Sequence, residues 1–269
     1  MIVFPPCKIN LGLFVTGKRA DGFHSLESLF VPVPLTDILE VVLHEETDIF
    51  WSSSGLDIPG EKESNLCVRA YRLLQRDFGI GGVKAHLHKL IPMGAGLGGG
   101  SSDAAYMLMC LNKLFELNLS SRQLKDYAAQ LGSDCPFFIE EKICFVSGRG
   151  EVLETIDFSL KGKYIVIIHP HVHVSTAEAY RMLTPKEAPF NLKKMESIPS
   201  TEWMKLITND FEAPIAQAHP IIAEVKQELL FNGAFYAAMS GSGSAVFGLF
   251  DEEVKWTNKN GLFQFSTKL

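Results

Sequence analysis

The sequence predicts an α+β fold, in which helices and strands are mixed without the regular alternation of a doubly wound parallel sheet. Three observations support this. Residues 2–16 are rich in β-forming side chains, residues 64–78 have helical periodicity, and short strand-like runs return after residue 164. The chain has 269 residues, of which 46% are hydrophobic, enough for one large domain or two modest ones.

The N-terminal part of the chain is predicted to consist mainly of strands. Pro5 and Pro6 confine the opening strand to a sheet edge or a bulge, because proline has no amide hydrogen to donate to a neighbouring strand. Residues 20–22 read Ala-Asp-Gly and supply a turn. The β-rich runs Leu26–Pro34 and Ile38–His44 follow, and we expect them to pair with each other.

The middle of the chain carries the clearest helix signals. A helix is predicted over Ser64–Phe78, with its first residue as the N-cap and the glycine after it as the stop signal. Apolar and polar residues alternate over 83–88, which predicts a half-buried strand. A long helix is expected from Ser101 to about Leu117, and a shorter one over Ser121–Leu131.

The second half of the chain returns to a mixture of strands and helices. We expect a strand pair over 143–156, a strand at Tyr164–His169, a helix near Ser175–Leu183, a polar stretch at 184–200, a longer helix after Pro220, and two strands flanking 240–243.

Composition excludes several classes of protein. The net charge is −6, which argues against nucleic acid as a partner. The five cysteines are odd in number and form no C-x-x-C pair, so neither a disulfide framework nor a zinc site is expected. The N-terminus has no signal-peptide pattern, and no apolar run is long enough to cross a membrane. We therefore expect a cytoplasmic protein with no membrane partner and no obligate protein partner.

The strongest motif is the glycine-rich segment PMGAGLGGGSS at 92–102, which lies between a predicted strand and a predicted helix. Glycines let the backbone approach a ligand closely. The helix that follows offers unpaired amide groups and the positive end of its dipole, which together bind anions. The segment predicts a polyphosphate site formed by Pro92, Met93, Gly94, Ala95, Gly96, Leu97, Gly98, Gly99, Gly100, Ser101 and Ser102.

Two other interpretations of this segment compete with a polyphosphate site. A flexible linker would rarely sit between a clean strand and a capped helix. A dinucleotide fingerprint also matches the glycine spacing, but it needs an acidic residue about 20 positions on, at the end of a strand. Glu116 has roughly that distance, yet it lies at the end of the predicted helix. The Walker pattern fails, because no lysine follows the glycines.

The segment closely resembles the ATP-binding motif of the GHMP kinases, which act on galactose, homoserine, mevalonate and phosphomevalonate. Three further segments resemble one branch of that family. They are CKINLGLF with RADGFHSL at 7–26, GSDCPFF at 132–138 and MSGSGS at 239–244. That branch phosphorylates a cytidine diphosphate-linked methylerythritol, a small-molecule substrate, on the route to isoprenoid precursors. The motifs cover most of the chain in the family's order.

The resemblance implies a two-domain GHMP kinase fold that uses ATP and Mg²⁺. Residues 1–155 would form the N-terminal nucleotide-binding domain and residues 156–269 a ferredoxin-like C-terminal domain, with the site in the cleft between them. A kinase for mevalonate, homoserine or a sugar stays open as an alternative, as does a nucleotide sensor without catalytic activity. Mg²⁺ is expected with the nucleotide, near Ser102, without a dedicated protein cage.

Lys8 and Asn10 are two positions apart on a predicted strand, so their side chains point to the same face. From the residues alone, Lys8 could equally be an exposed cation, and Asp134 a capping or turn residue. The resemblance implies that Asp134 is the catalytic base, with Lys8 beside it. A carboxylate is too weak a base to deprotonate an alcohol in advance, but phosphoryl transfer lets it accept the proton late.

The resemblance also implies which residues bind the two substrates. Phe23 and Tyr180 would sandwich the cytosine, while His24 and Thr176 would hydrogen-bond its edge. The family more often has the tyrosine first and the phenylalanine second, so the two rings are exchanged here. The remaining residues fall at substrate-contacting positions of the family: Asn10 and Ser133 for the acceptor, and Asn65, Leu66 and Lys89 for adenine and ribose.

Overall fold

The computed structural model describes residues 1–256 and 261–269. Its strands are β1 (Ile2–Val3), β2 (Pro6–Lys18), β3 (His24–Thr36), β4 (Ile38–Leu43), β5 (Ile49–Gly55), β6 (Val83–Lys89), β7 (Cys144–Ser147), β8 (Val152–Thr155), β9 (Tyr164–His169), β10 (Tyr236–Met239), β11 (Val246–Phe250) and β12 (Phe263–Lys268). Its α-helices are α1 (Leu66–Phe78), α2 (Gly99–Leu114), α3 (Ser121–Leu131), α4 (Thr176–Arg181), α5 (Trp203–Leu206), α6 (Glu212–Ala218) and α7 (Ile221–Phe231). Short 3₁₀ helices lie at Lys62–Ser64, Cys135–Ile139, Leu192–Ser197 and Ser200–Glu202.

The described strands form three four-stranded sheets, in the orders β1-β4-β6-β5, β2-β3-β7-β8 and β10-β11-β9-β12. Within the first sheet, β5 and β6 are parallel, whereas β4 is antiparallel to both of its neighbours. The mixture of sheets and helices is the predicted α+β class. Among the described helices, none is long and apolar enough to span a membrane.

The chain divides into two compact units that are interleaved along the sequence. One unit comprises 1–7, 35–93 and 98–141, and the other comprises 8–34, 94–97 and 142–269. In the first unit, helix α1 packs on α2, and the core includes Tyr71, Leu74, Val83, Leu108 and Leu111. In the second, α7 packs on β10 and β11, and the core includes Val166, Phe211, Ile222, Leu229 and Phe250. The single boundary expected near residue 155 stays a prediction.

The expected pairing of Leu26–Pro34 with Ile38–His44 is wrong. The first run belongs to β3, which pairs with β7, and the second belongs to β4, which pairs with β1 and β6. Asp37 alone separates β3 from β4, and a hairpin needs a loop of at least two residues. The carboxylate of Asp37 instead accepts the backbone amides of Leu90 and Ile91 at 2.6 and 2.9 Å.

Most predicted helices are present, with corrected ends. Helix α1 is capped by Asn65 rather than Ser64, because the Asn65 side chain accepts the amide of Cys67 at 2.9 Å. It ends at Gly79, as predicted, and this glycine has a left-handed conformation. Helix α2 begins two residues earlier than expected, at Gly99, and ends at Leu114. Helix α3 matches its prediction and starts with a capping box.

The second half also follows the prediction in outline. Strand β9 and the pairs β7–β8 and β10–β11 lie where they were expected, and α7 follows Pro220. Helix α4 is shorter than expected at both ends. No element was predicted for the last residues, where β12 pairs with β9 along its whole length.

Candidate active site

Strand β2 places Lys8 and Asn10 on one face, as their spacing predicts. The ammonium of Lys8 donates to Asn10 Oδ1 at 2.6 Å and to the carbonyl oxygen of Gly96 at 3.0 Å. It also lies 4.7 Å from the centre of the Phe30 ring. The residue is only 3% exposed, so Lys8 is not a solvated surface cation. A buried ammonium thus lies beside the glycine-rich loop.

A hydrogen-bond chain fixes the orientation of Asn10. Its Nδ2 donates to Ser28 Oγ at 2.8 Å, and that hydroxyl donates to the carbonyl of Gly12 at 2.6 Å. The backbone amide of Asn10 donates to Ser240 Oγ at 3.2 Å. Because Nδ2 is held by Ser28, the Asn10 carbonyl faces Lys8 and holds its ammonium in place.

Residues 94–97 of the glycine-rich loop are held by the loop that connects β10 and β11. Ser240 Oγ donates to the carbonyl of Gly96 at 2.9 Å, and the amide of Ala245 donates to the carbonyl of Ala95 at 3.1 Å. Gly96 has a φ of +77°, and a Cβ there would lie 2.0 Å from the carbonyl oxygen of Ser240. Glycine is therefore required at position 96 for contact between two loops, besides any contact with phosphate.

Asn209 supports this arrangement and was not predicted. Its Nδ2 donates to the carbonyls of Met239 and Gly241 at 2.7 and 2.8 Å, and its Oδ1 accepts the amide of Phe211 at 3.0 Å. The side chain therefore fixes the start of the loop that holds Gly96. No sequence motif marks this role, since the partners lie about 30 residues away.

The N-terminus of α2 forms the other part of the glycine-rich segment. Gly98 is its N-cap with a φ of +71°, and the N-cap has no side chain that could bond the unpaired amides of the first turn. Ser101 is partly exposed there. Ser102 is fully buried, and its hydroxyl has no hydrogen-bond partner among the described residues. The Ser102 hydroxyl is thus a buried polar group without a hydrogen bond inside the described protein, and the expected Mg²⁺ position near it stays a prediction.

A cavity of about 120 Å³ lies next to this helix and brings together residues predicted to bind the nucleotide. Asn65 and Leu66 line it from the start of α1, Met93 from the loop, and Gly100 from α2. Its other walls are Ile58, Pro59, Ser64, Cys67, Leu87 and Asp103. Apolar walls with a few polar groups suit a flat base or a ribose.

Lys89 has a structural role in this fold, and its predicted contact with the nucleotide stays a prediction. Lys89 is fully buried, and its ammonium forms ion pairs with Asp37 and, at 2.7 Å, with Asp103. No part of its side chain is exposed. Burial opposes the charge on Lys89, but the two carboxylates outweigh that effect and raise its pKa. Lys89 therefore stays charged and stabilises the segment that leads into the glycine-rich loop.

Asp134 and Ser133 lie just before the 3₁₀ helix Cys135–Ile139. The Asp134 side chain makes no capping bond to that helix, so the capping alternative left open by the sequence is wrong. Ser133 Oγ donates to Asp134 Oδ1 at 3.3 Å. Pro136 and the buried residues after it anchor the segment. Asp134 itself is partly exposed, as a residue that meets a substrate must be.

The aromatic residues predicted to bind cytosine form different pairs from those expected. The His24 and Tyr180 rings are stacked, with centres 4.9 Å apart and planes 17° apart. Phe23 is 55% exposed, and the guanidinium of Arg149 lies 4.9 Å from its ring centre. Thr176 Oγ1 lies 3.1 Å from Ser242 Oγ. The structure thus places His24 against Tyr180, and the base sandwich stays a prediction.

Arg149 was missed because residues 143–156 were predicted only as a strand pair, and Arg149 lies in the connection of that pair, Ser-Gly-Arg-Gly at 147–150. The amide of Leu26 donates to the carbonyl of Gly148 at 2.9 Å, which brings that turn beside the start of β3. An arginine between two glycines in a turn was the available signal.

Comparison with known proteins agrees with this geometry. Residues 65–142 match the family model described as GHMP kinases N terminal domain, and residues 193–255 match GHMP kinases C terminal. The 4-diphosphocytidyl-2-C-methyl-D-erythritol kinase of Bacteroides fragilis is 48% identical over 100% of both chains. That of Bacteroides thetaiotaomicron is 50% identical over 94% of this chain and 93% of its own.

A crystal structure of 4-(cytidine 5'-diphospho)-2C-methyl-D-erythritol kinase superposes with a TM-score of 0.75 at 34% identity, covering 93% of this chain and 90% of that one. The identity extends over nearly the whole chain and includes both family models, so the mevalonate and homoserine alternatives and the dinucleotide fingerprint lose their support. The chain belongs to the GHMP kinases and, within them, to the family of 4-diphosphocytidyl-2-C-methyl-D-erythritol kinases.

Proposed function

We propose that this kinase transfers the γ-phosphoryl group of ATP to the 2-hydroxyl group of 4-diphosphocytidyl-2-C-methyl-D-erythritol. The observation that best supports phosphoryl transfer is the position of the buried Lys8 ammonium, 3.0 Å from the carbonyl of Gly96 in the glycine-rich loop. The names of the full-length relatives support the choice of acceptor.

In this proposal the glycine-rich segment binds the triphosphate. Gly94, Gly96 and Gly98 all have positive φ, a backbone conformation that lets successive amide groups turn toward an anion. The first turn of α2 adds the positive end of a helix dipole. The cavity at Asn65 and Leu66 would receive the adenosine.

Lys8 and Asp134 would carry the chemistry. The Lys8 ammonium would offset negative charge that develops on the transferred phosphoryl group, which is the largest kind of contribution to such a reaction. Asp134 would orient the acceptor hydroxyl and accept its proton late, since the transition state is loose. Asn10 and Ser133 are proposed to hold the acceptor near these two groups.

Phe23, His24, Thr176 and Tyr180 would bind the cytidine end of the acceptor. Stacking a base on aromatic rings contributes roughly 1–3 kcal/mol per base. In the structure His24 lies on Tyr180, so a base that stacks on the same face of Tyr180 must displace His24. The Arg149 guanidinium beside Phe23 adds a cation near the acceptor's diphosphate in this proposal.

Mg²⁺ is proposed only as the ion that accompanies ATP. Among the described residues no group of three or more His, Cys, Asp or Glu side chains could hold a metal ion, and Ser102 is buried. Bound Mg²⁺ would supply charge neutralisation on the phosphates. The five cysteines are odd in number and form no C-x-x-C pair, which supports the proposed cytoplasmic location, where thiols stay reduced.

Phosphorus NMR of the reaction product tests the proposal. With Mg²⁺–ATP and 4-diphosphocytidyl-2-C-methyl-D-erythritol, a new phosphomonoester should form on the 2-hydroxyl group, with one ADP released per acceptor consumed. ATP hydrolysis without a phosphorylated acceptor, or a phosphate on another hydroxyl, would contradict it.

A further inference from the structure

His173 lies directly over Gly94 in the glycine-rich loop. A Cβ at Gly94 would meet Nδ1 of His173 at 3.2 Å and its Cε1 at 3.4 Å. Gly94 also has a φ of +62°. Glycine at this position therefore leaves room for an imidazole ring, in addition to allowing a left-handed backbone.

The segment that carries His173 is fixed on both sides. The carbonyl of Val172 accepts a hydrogen bond from the buried Ser244 hydroxyl, and Val174 packs in the core. Ser244 belongs to the same loop, after β10, that holds the carbonyls of Ala95 and Gly96. The ring of His173 is thus presented to Gly94 by a backbone anchored to the partner loop of the glycine-rich segment.

The His173 ring is available for a ligand. The residue is exposed, and among the described residues its ring nitrogens make no hydrogen bond or ion pair. His171, two positions earlier, is also exposed but uses its Nε2 to accept the amide of Phe263 at 3.2 Å. A neutral imidazole carries one N–H donor and an imidazolium carries two, and phosphate oxygens accept from both.

We propose that His173 is a phosphate-binding residue that donates to oxygens of the ligand held at Gly94. We assign that phosphate to the triphosphate of the nucleotide, because Gly94 belongs to the segment that binds it. The inference rests on the proposed function. The diphosphate of the acceptor has the same chemistry, and the experiment separates the two sources.

Calorimetry with ATP and adenosine measures the contact in the full chain. His173→Ala should weaken ATP binding about tenfold, as expected for loss of a hydrogen bond to a charged group, and should leave adenosine binding unchanged. His173→Phe keeps a ring against Gly94 but has no N–H donor, so it should bind ATP as weakly as His173→Ala. His171→Ala is the matched control and should bind ATP as the wild type does.

A second arm measures the KM for the acceptor at saturating ATP. If His173→Ala raises the KM for the acceptor but binds ATP normally, the phosphate contact belongs to the acceptor, and His173 is still a phosphate-binding residue. Normal ATP binding together with a normal acceptor KM would overturn the inference. Wild-type ATP affinity in His173→Phe would also overturn it, because the ring would then serve only for packing. A wild-type protein that binds no ATP would contradict the proposed function instead.

Discussion

The ammonium of Lys89 lies 2.7 Å from the carboxylate of Asp103, and both side chains are buried. Lys89 ends the strand that leads into the glycine-rich segment, and Asp103 lies in the first turns of the helix that follows it. A second carboxylate, Asp37, shares the same ammonium. One buried cation therefore ties together the two ends of the segment that binds phosphate in the proposed function.

Removing this cation should be costly for the fold. Lys89→Met leaves Asp37 and Asp103 buried without a positive partner, and breaking a buried ion pair typically costs about 3–5 kcal/mol. Urea denaturation should show a loss of that order in the free energy of unfolding. Lys84→Met is the control, because Lys84 is exposed on the same strand, and it should have a small effect. Equal effects from the two variants would contradict the assigned role of Lys89.

The ionisation of Asp103 should lower stability as the pH rises. Burial raises the pKa of Asp103 to about 7, against the opposing effect of Lys89 and with a further rise caused by Asp37. The folded protein then holds this proton more tightly than the unfolded chain, where the pKa of an aspartate is about 3.9. The stabilising contribution is fully present below the unfolded pKa and is lost as the pH rises through the folded one.

The measurement is the free energy of unfolding at several pH values between about 4 and 8, for the wild type and Asp103→Asn. The part of the decrease in the free energy of unfolding with rising pH that comes from Asp103 should be absent in the variant, because asparagine does not titrate. Parallel pH profiles of the two proteins would show that Asp103 titrates in its ordinary range.

Gly96 and Gly100 should respond differently to alanine. A Cβ at Gly96 would meet backbone at 2.0 Å and require a positive φ, whereas a Cβ at the helical Gly100 would meet nothing within 4 Å. We expect Gly96→Ala to lose most ATP affinity and some stability. Gly100→Ala should be at least as stable as the wild type, with a gain of up to about 1 kcal/mol in the free energy of unfolding. Calorimetry measures the ATP affinity of both variants, and thermal unfolding measures their stability. Wild-type ATP affinity and stability in Gly96→Ala would show that the two loops do not need their close approach.

Lys8 and Asp134 should act as one unit. Asp134→Asn keeps the size of the side chain but removes the carboxylate, and we expect kcat to fall by about 10²–10⁴-fold with little change in ATP affinity. Lys8→Met should also lower kcat. The double variant should be little worse than the more damaged single variant. Losses that add fully on a logarithmic scale would mean that the two side chains work independently.

Local patterns predicted much of this structure because their signals lie within a few residues. Helix α3, strand β6, the left-handed Gly79 and the shared face of Lys8 and Asn10 all follow from short-range periodicity or capping. The β3–β4 pairing was wrong because strand partners depend on connection length, and a single residue, Asp37, cannot reverse the chain.

The features that were missed depend on contacts between distant parts of the sequence. Lys89 was predicted to contact the nucleotide only from its position in the family resemblance. Its partners lie 52 and 14 residues away, so no local pattern shows them. The same holds for Ser240 and Gly96, which are 144 residues apart. The motifs that contain Ser240 and Gly96 were both evident in the sequence, but their direct contact is visible only in the folded structure.

The measurement that tests the central claim most directly is kcat/KM for four acceptors under identical Mg²⁺–ATP conditions. These are 4-diphosphocytidyl-2-C-methyl-D-erythritol, its uridine analogue, mevalonate and homoserine. We expect the cytidine compound to be strongly preferred and the uridine analogue to be orders of magnitude poorer, because a site that hydrogen-bonds the cytosine edge leaves buried polar groups unpaired when uracil replaces it. His24→Ala should reduce the difference in kcat/KM between the cytidine compound and the uridine analogue. Preference for mevalonate or homoserine would contradict the proposed acceptor.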